Sequence, residues 1–485
     1  MLTDQQDRSR APDEGSAHVS WWAFAALCLG ELLVVLDGTV VVVALPSMGA
    51  ALGVSHEYLI GIVNAYTAAN GGFLLCSGRL GDLFGYRRLF LVGVALFTVA
   101  SLGCALSNSY MVLIAFRIFQ GLAGAAVTTA TYSSAIAFFP EVSTRARALG
   151  VISAIAAMGG IFGSLVGGVL TESLGWRSVF LINVPLGLAV YVLCSLLIRK
   201  SATISSSGPL DFPGAILITL SMISTVLSIQ QIGQEGWASG KAAVYLGLVA
   251  VLILACILVE EKASAPLIRL EGLRIRSFIL CSIISVLCSP IGACGVFASM
   301  YLQLTQHYTP IQVAMAFLPS GAIGAVFVLV VSPRIVTRFG TKGPLALGLA
   351  AASAGLAVLV HTAAVGAGLY EVLVGLAIIM VGVGISSTPT LVTAMSEVRP
   401  AEVGLATGMV ATATLMSSAV ALAALGAVLT SYQRHLVAVG TAPTAAANRA
   451  YQLVFLISIV LNTMAIPFAL ALRRPRDLSV AVNHS

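Results

Sequence analysis

The chain has 485 residues, of which 9% are charged and 58% apolar, with a net charge of +6 and a mean hydropathy of +1.00. A soluble protein carries roughly 25% charged residues, so a water-facing enzyme of two or three domains is excluded. Disorder requires low hydrophobicity, and the 47 glycines follow no three-residue period, which leaves an all-α polytopic membrane protein.

A crossing helix needs about 20 mostly apolar residues. Fourteen stretches qualify. The first six lie near 22–46, 58–77, 89–107, 110–132, 148–171 and 179–198. Two follow near 212–232 and 241–259, and six more near 278–303, 312–332, 344–362, 368–391, 403–430 and 451–472. An even count puts both termini on one side. Positive loops favour the cytoplasm. With the N-terminus inside, twenty of the 25 Lys and Arg fall in inner segments. Only Arg177, Lys241, Arg434 and Arg449 fall outside, and Arg117 lies within a span. All four Trp (21, 22, 176 and 237) sit at predicted interfaces. The segment 1–20 has no basic start, short apolar core or small-residue cleavage site of a signal peptide, so it is expected to remain as a cytoplasmic tail. The eight Cys lie in apolar stretches without CxxC spacing, and read as small packing residues. No pair of the six His has metal-ligand spacing.

Two loops recur. Gly78-Arg-Leu-Gly-Asp82-Leu-Phe-Gly85-Tyr-Arg87-Arg88 follows the second span, and Pro333-Arg-Ile-Val-Thr-Arg-Phe-Gly340-Thr-Lys342-Gly343 follows the tenth. Phe84-Gly85 aligns with Phe339-Gly340 at an offset of 255. Pro140-Glu-Val and Ala148-Leu-Gly150 are similar to Pro400-Ala-Glu-Val and Ala406-Thr-Gly408 at nearly the same offset. The halves are therefore duplicated six-helix bundles, over 21–200 and 277–472. Between them, 201–276 holds a linker and two inserted spans without counterparts, and 473–485 forms a second cytoplasmic tail. Parallel six-helix repeats are a transporter plan, with the substrate site at their interface.

The loop 78–88 is similar to the loop 2–3 signature of the major facilitator superfamily, and Arg117-Ile-Phe-Gln120-Gly121 to its fourth-span signature. Leu36-Asp37-Gly-Thr39 through Ala44-Leu45-Pro46 resembles the fourteen-span drug/proton antiporter branch, as does Trp176-Arg-Ser-Val-Phe180-Leu-Ile-Asn183-Val-Pro185. Gly159, Gly163, Gly167 and Gly168 match the antiporter signature of the fifth span. Ser164 stands where that family has Pro, and Val42 where it has Asn. The resemblance implies export of multidrug or antibiotic type by alternating access.

An ionisable group at bilayer depth is costly and functional by default. Three qualify: Glu31 and Asp37 in the first span and Arg117 in the fourth. A rise of about 1.5 Å per residue places Asp37 and Arg117 at one depth, about 8–10 Å below the outer face. Glu31 lies closer to the cytoplasm and about 120° around the helix. Asp37 is expected to take and release the coupled proton, with Arg117 beside it and Glu31 as a second proton site or a contact for cationic substrates. Asp82 is expected to face a helix N-terminus in the other half and hold the inner gate shut. Gly78 and Gly85 would permit the turn, and Arg87 and Arg88 would add latch contacts or enforce topology. Gln120, Asn64, Tyr66 and Asn183 are candidates to line the cavity, followed by Asn70, Gln230, Gln231 and Gln303. Gln120 is weighted up because it lies three residues from Arg117, on nearly the same face.

The expected function is proton-driven export of small amphipathic compounds, cationic or neutral and lipophilic, from a monomer in the plasma membrane. The alternative is a proton-coupled symporter or an exporter of one metabolite. The expected partners are a small-molecule substrate, protons and the lipid bilayer. No metal or other cofactor and no nucleic acid is expected, since topology accounts for the positive charge. There is no HExxH and no Walker-type loop to support a membrane enzyme or an ATP-driven pump.

Overall fold

Long apolar runs without water can satisfy their backbone only internally, as helices or closed barrels. In the computed structural model every described element is a helix. The described residues are 14–139, 141–198, 212–235, 240–262, 276–395 and 403–472. In the first half, α1 covers Glu14–Leu52, α2 His56–Phe84, α3 Tyr86–Ala105, α4 Tyr110–Phe138 and α5 Val142–Leu174. The sixth span is broken into α6 (Ser178–Leu181) and α7 (Asn183–Leu197). The inserted pair is α8 (Phe212–Glu235) and α9 (Gly240–Lys262). The second half opens with α10 (Arg276–Cys288), α11 (Pro290–Met300) and a π-helical segment, Tyr301–Thr305. It continues with α12 (Pro310–Val326), a second π segment, Phe327–Val331, and α13 (Ser332–Phe339). The last four are α14 (Lys342–Val365), α15 (Leu369–Met395), α16 (Val403–Ala438) and α17 (Pro443–Ala471).

Among the described residues, thirteen helices are long and apolar enough to cross a membrane. The expected count of fourteen is thus met for thirteen. In α5 the stretch that qualifies is the shorter Phe162–Leu174. α1 starts at Glu14, inside the segment expected to be a tail. The tail residues Arg8, Arg10, Arg473, Arg474 and Arg476 lie outside the described residues, as do the linker 201–211, Arg199, Lys200, Arg269, Arg274, Arg399, Trp237, Pro140 and Pro400.

The repeat is visible in the backbone. Gly85 separates α2 from α3 with φ of 86°, and Gly340 separates α13 from α14 with φ of 73°. Side chains rarely adopt that region, so both copies of the loop need glycine at the matched position. The end of the bundle that carries these two turns is here called the basic end.

Within the first half, α1 packs on α5, α4 and α7, while α4 packs on α2 and α3. Within the second, α14 packs on α15 and α17, and α12 on α15. Two seams join the halves, α5 against α12 and α2 against α16. In the repeat the second span corresponds to the tenth and the fifth to the thirteenth. The two seams therefore exchange under that correspondence, as a pseudo-twofold requires. α8 packs on both α2 and α16 along one seam, and α9 has its main packing partner in α8. The Thr219 hydroxyl donates to the Gly72 carbonyl at 3.0 Å, and that of Ser431 to the Gly233 carbonyl at 2.9 Å. The inserted helix is thus bonded to both halves.

Candidate functional site

α1 and α4 run in opposite directions, so residues at matched depth meet when their faces turn together. Arg117 Nη1 lies 2.6 Å from Asp37 Oδ2, and both side chains have no exposed surface. The depth argument from the two sequences of turns is met by direct contact. Two amides complete the carboxylate shell. Gln120 Nε2 donates to Asp37 Oδ1 at 2.9 Å, and Asn183 Nδ2 donates to the same oxygen at 2.7 Å. The break between α6 and α7 at Ile182 starts α7 at Asn183.

Arg117 is held from several sides. Its Nη1 donates also to Gln120 Oε1 at 2.7 Å, and its Nε donates to the Ile62 carbonyl at 3.1 Å. The guanidinium carbon stands 4.3 Å from the Tyr66 ring centre and 5.8 Å from that of Phe180. Ser101 Oγ accepts from Gln120 Nε2 at 2.8 Å. Arg117 Nη2 and Asn183 Oδ1 have no hydrogen-bond partner. Three donors converge on Asp37, which suits the acceptor-only ionised carboxylate.

This geometry corrects the expectation for Gln120, Asn183 and Asn64. All three have no exposed surface, so none lines an open cavity. Gln120 and Asn183 bind Asp37 instead. Asn64 is enclosed with neither amide atom partnered. Tyr66 is also buried, with its hydroxyl donating to the Val34 carbonyl at 3.3 Å and its ring on Arg117. Of the lower candidates, Gln230 Nε2 donates to the Tyr110 hydroxyl at 3.4 Å, and Gln303 Nε2 to Ser299 at 3.1 Å.

Glu31 is separate from the cluster, as its angular offset requires. It is 4% exposed, with Thr128 as a hydrogen-bonding neighbour, and its Oε2 has no partner. Among the described residues no cation stands beside this buried acid.

The fifth-span glycines face two ways. At Gly163 a Cβ would collide with Thr39 Oγ1, and at Gly167 it would meet the Val40 carbonyl oxygen at 2.7 Å. Thr39 Oγ1 donates to the Gly159 carbonyl at 3.2 Å. Three of the four glycines thus seat α5 against α1. Gly168 faces the other half, where a Cβ would meet the Pro310 carbonyl oxygen at 2.9 Å. Ser164 donates to the Gly160 carbonyl at 3.3 Å within an uninterrupted helix.

Among the described residues, Asp82 is partnered within its own half. The Tyr86 hydroxyl donates to its Oδ1, Arg79 lies 3.8 Å away, and its side chain is 41% exposed. Gly78 packs toward Thr129 of the same half. Arg87 donates to the carbonyls of Ile198 at 2.6 Å and Ser195 at 3.0 Å. It caps the C-terminus of α7, where the last carbonyls lack helical partners. An acid-to-helix contact between the halves occurs at the opposite end. Glu172 Oε2 accepts from the Ile311 amide at 3.2 Å, at the N-terminus of α12. Sequence reading missed Glu172 and Ser101. Thr309-Pro310 marks a helix start, but one sequence does not pair that start with an acid 139 residues away.

A family model described as Major Facilitator Superfamily matches residues 27–423. The multidrug resistance protein Stp of Mycobacterium tuberculosis (strain CDC 1551 / Oshkosh) is 32% identical over 410 residues, covering 83% of this chain and 75% of Stp. The puromycin resistance protein pur8 of Streptomyces alboniger is 33% identical over 439 residues, 88% of this chain and 85% of pur8. The cephamycin export protein CmcT of Amycolatopsis lactamdurans is 33% identical over 439 residues, with 87% and 88% covered. Among solved structures, a D-xylose-proton symporter superposes with a TM-score of 0.64 at 15% identity, over 94% of this chain and 98% of that one. At that identity the likeness concerns the fold alone.

Proposed function

This chain belongs to the Major Facilitator Superfamily, a family of membrane transporters, and we propose that it exports small amphipathic compounds, antibiotics among them, in exchange for protons. The observation that carries the reading is the fully buried Asp37 cluster. Protonation of Asp37 removes its charge and leaves Arg117 uncompensated. Breaking a buried ion pair on one side costs about 3–5 kcal/mol. The cluster therefore has to rearrange when a proton arrives, and it spans α1, α3, α4 and α7. That is a direct route from proton binding to helix movement. Resistance and export proteins among the relatives support efflux as the direction.

The basic end faces the cytoplasm of a cell whose plasma membrane holds the protein, with both termini on that side. The two six-helix bundles, 21–200 and 277–472, rock as bodies around a site between them. At the far end Gly168 and Glu172 hold α5 against α12. At the basic end Asp82 is partnered within its own half. That combination fits a state that loads substrate from the cytoplasm. The protein works as a monomer, and the proton gradient supplies the energy.

The test is dye efflux in a pump-deficient host expressing the full chain. Efflux should exceed that of the empty host and collapse on addition of a proton uncoupler. Dye retention equal to the empty host, or efflux indifferent to the uncoupler, would refute the proposal.

A further inference from the structure

A groove of about 420 Å³ lies between α2, α3 and α4, on the side away from Asp37, and every side chain lining it is apolar. On α3, Val92, Leu96 and Val99 form its exposed wall, each more than half exposed. Phe119 of α4 stands opposite, also more than half exposed. The floor exists because Gly93 lets the helices close up. A Cβ there would meet Ala126 at 3.1 Å and the Ala123 carbonyl oxygen at 3.2 Å. From Leu89 to Ala100 the groove extends about 17 Å along the helix axis, close to the roughly 15 Å of hydrocarbon in one leaflet.

The mouth of the groove is charged. Arg88, Val92, Leu96 and Val99 share one helical face by their spacing, so Arg88 heads the same stripe. Arg88 is exposed and has no hydrogen bond or ion pair among the described residues. The adjacent N-terminus of α3 has no acidic residue in its first turn and no side-chain cap. Its first amides therefore lack side-chain acceptors, and such an end favours an anion. An apolar trough one leaflet long thus opens on a free guanidinium and an uncapped helix start.

We propose that this groove binds an anionic phospholipid of the leaflet at the basic end. One acyl chain fills the trough between α3 and α4, and the headgroup phosphate meets Arg88 and the start of α3. The groove backs onto the Asp37 cluster, since Ala100 and Phe116 of its lining adjoin Ser101 and Arg117. Bound lipid would brace the α3–α4 pair that holds Gln120 to Ser101. The site stands apart from the export reading, and its test measures no transport.

The full-length protein is purified in detergent, delipidated, and offered dioleoylphosphatidylglycerol or dioleoylphosphatidylcholine. Bound lipid is counted by native mass spectrometry, and thermal unfolding is followed in parallel. One basic contact is worth about fivefold in affinity, so phosphatidylglycerol should be retained about fivefold over phosphatidylcholine and should alone raise the unfolding temperature. Arg88→Gln should lose the preference yet still bind lipid, and Leu96→Trp should lose both lipids. The Arg88 side chain is exposed, so the selectivity measurement holds even where Leu96→Trp fails to fold. Equal retention of the two lipids by the unsubstituted protein would overturn the proposal. So would undiminished selectivity in Arg88→Gln, or undiminished binding in a folded Leu96→Trp.

Discussion

Asp37→Asn keeps the shape of the side chain and removes its charge. Arg117 then stands fully buried with its ion-pair partner gone, where Nη1 had an oxygen at 2.6 Å. Removing one partner of a buried pair costs about 3–5 kcal/mol. The remaining contacts of Arg117 soften the loss: Gln120 Oε1 at 2.7 Å, the Ile62 carbonyl at 3.1 Å and the Tyr66 ring at 4.3 Å. A desolvated cation over an aromatic face is worth about 2 kcal/mol, so the expected destabilisation lies at the lower end, about 3 kcal/mol. Replacing both members, as in Asp37→Asn with Arg117→Met, removes the uncompensated charge and should recover most of that loss. Unfolding in detergent measures the stability of the three proteins, and uncoupler-sensitive dye efflux measures their coupling. The single variant should be unstable and inactive, and the double variant stable and inactive. Wild-type efflux from Asp37→Asn would refute the coupling role. A double variant as unstable as the single would refute the charge-pair account.

Other substitutions test the surrounding parts. Glu31→Gln should lower efflux of cationic dyes several-fold and leave neutral dyes nearly unchanged, because the unpartnered Glu31 oxygen can meet positive charge once helix movement uncovers it; equal effects on both dye classes would argue against it. Gly168→Leu places a side chain against the Pro310 carbonyl, and should keep the far end open, abolishing efflux with expression maintained. Glu172→Gln weakens the contact with the start of α12, worth about 0.3–1 kcal/mol, and should raise labelling of a far-end reporter by an impermeant reagent about two- to fivefold. Arg87→Ala removes two hydrogen bonds at the end of α7 and should cost about 1–3 kcal/mol of stability, read as a lowered unfolding temperature.

Much of the site was legible because its chemistry is rare in its surroundings. A charge inside an apolar run stands out, and helical rise converts its position into depth. That logic paired Asp37 with Arg117 before any contact was known. It did not locate Ser101 or settle the role of Asn183, because small polar residues are common in membrane helices and their partners come from other helices. Gln120 was singled out from its spacing to Arg117, but its partners were not. The same limit applies to Asp82 and Arg87. The loop pattern identifies residues that can bind a helix end, and only packing says which end. Arg87 binds the end of α7 in its own half, while Glu172 makes a contact across the halves.

The sequence by itself determined the solvent, the helical class and the few ionisable groups at depth. These follow from hydropathy and periodicity, which act within one segment at a time. Tertiary structure alone decided that three polar side chains from α4 and α7 close around one carboxylate of α1, that Glu172 meets the start of α12 across the halves, and that α8 is bonded to both halves. The physical reason is that a buried polar group must find its partner wherever packing brings one within about 3 Å. Rotation and tilt of neighbouring helices set that meeting, and neither is written in the spacing of any single helix.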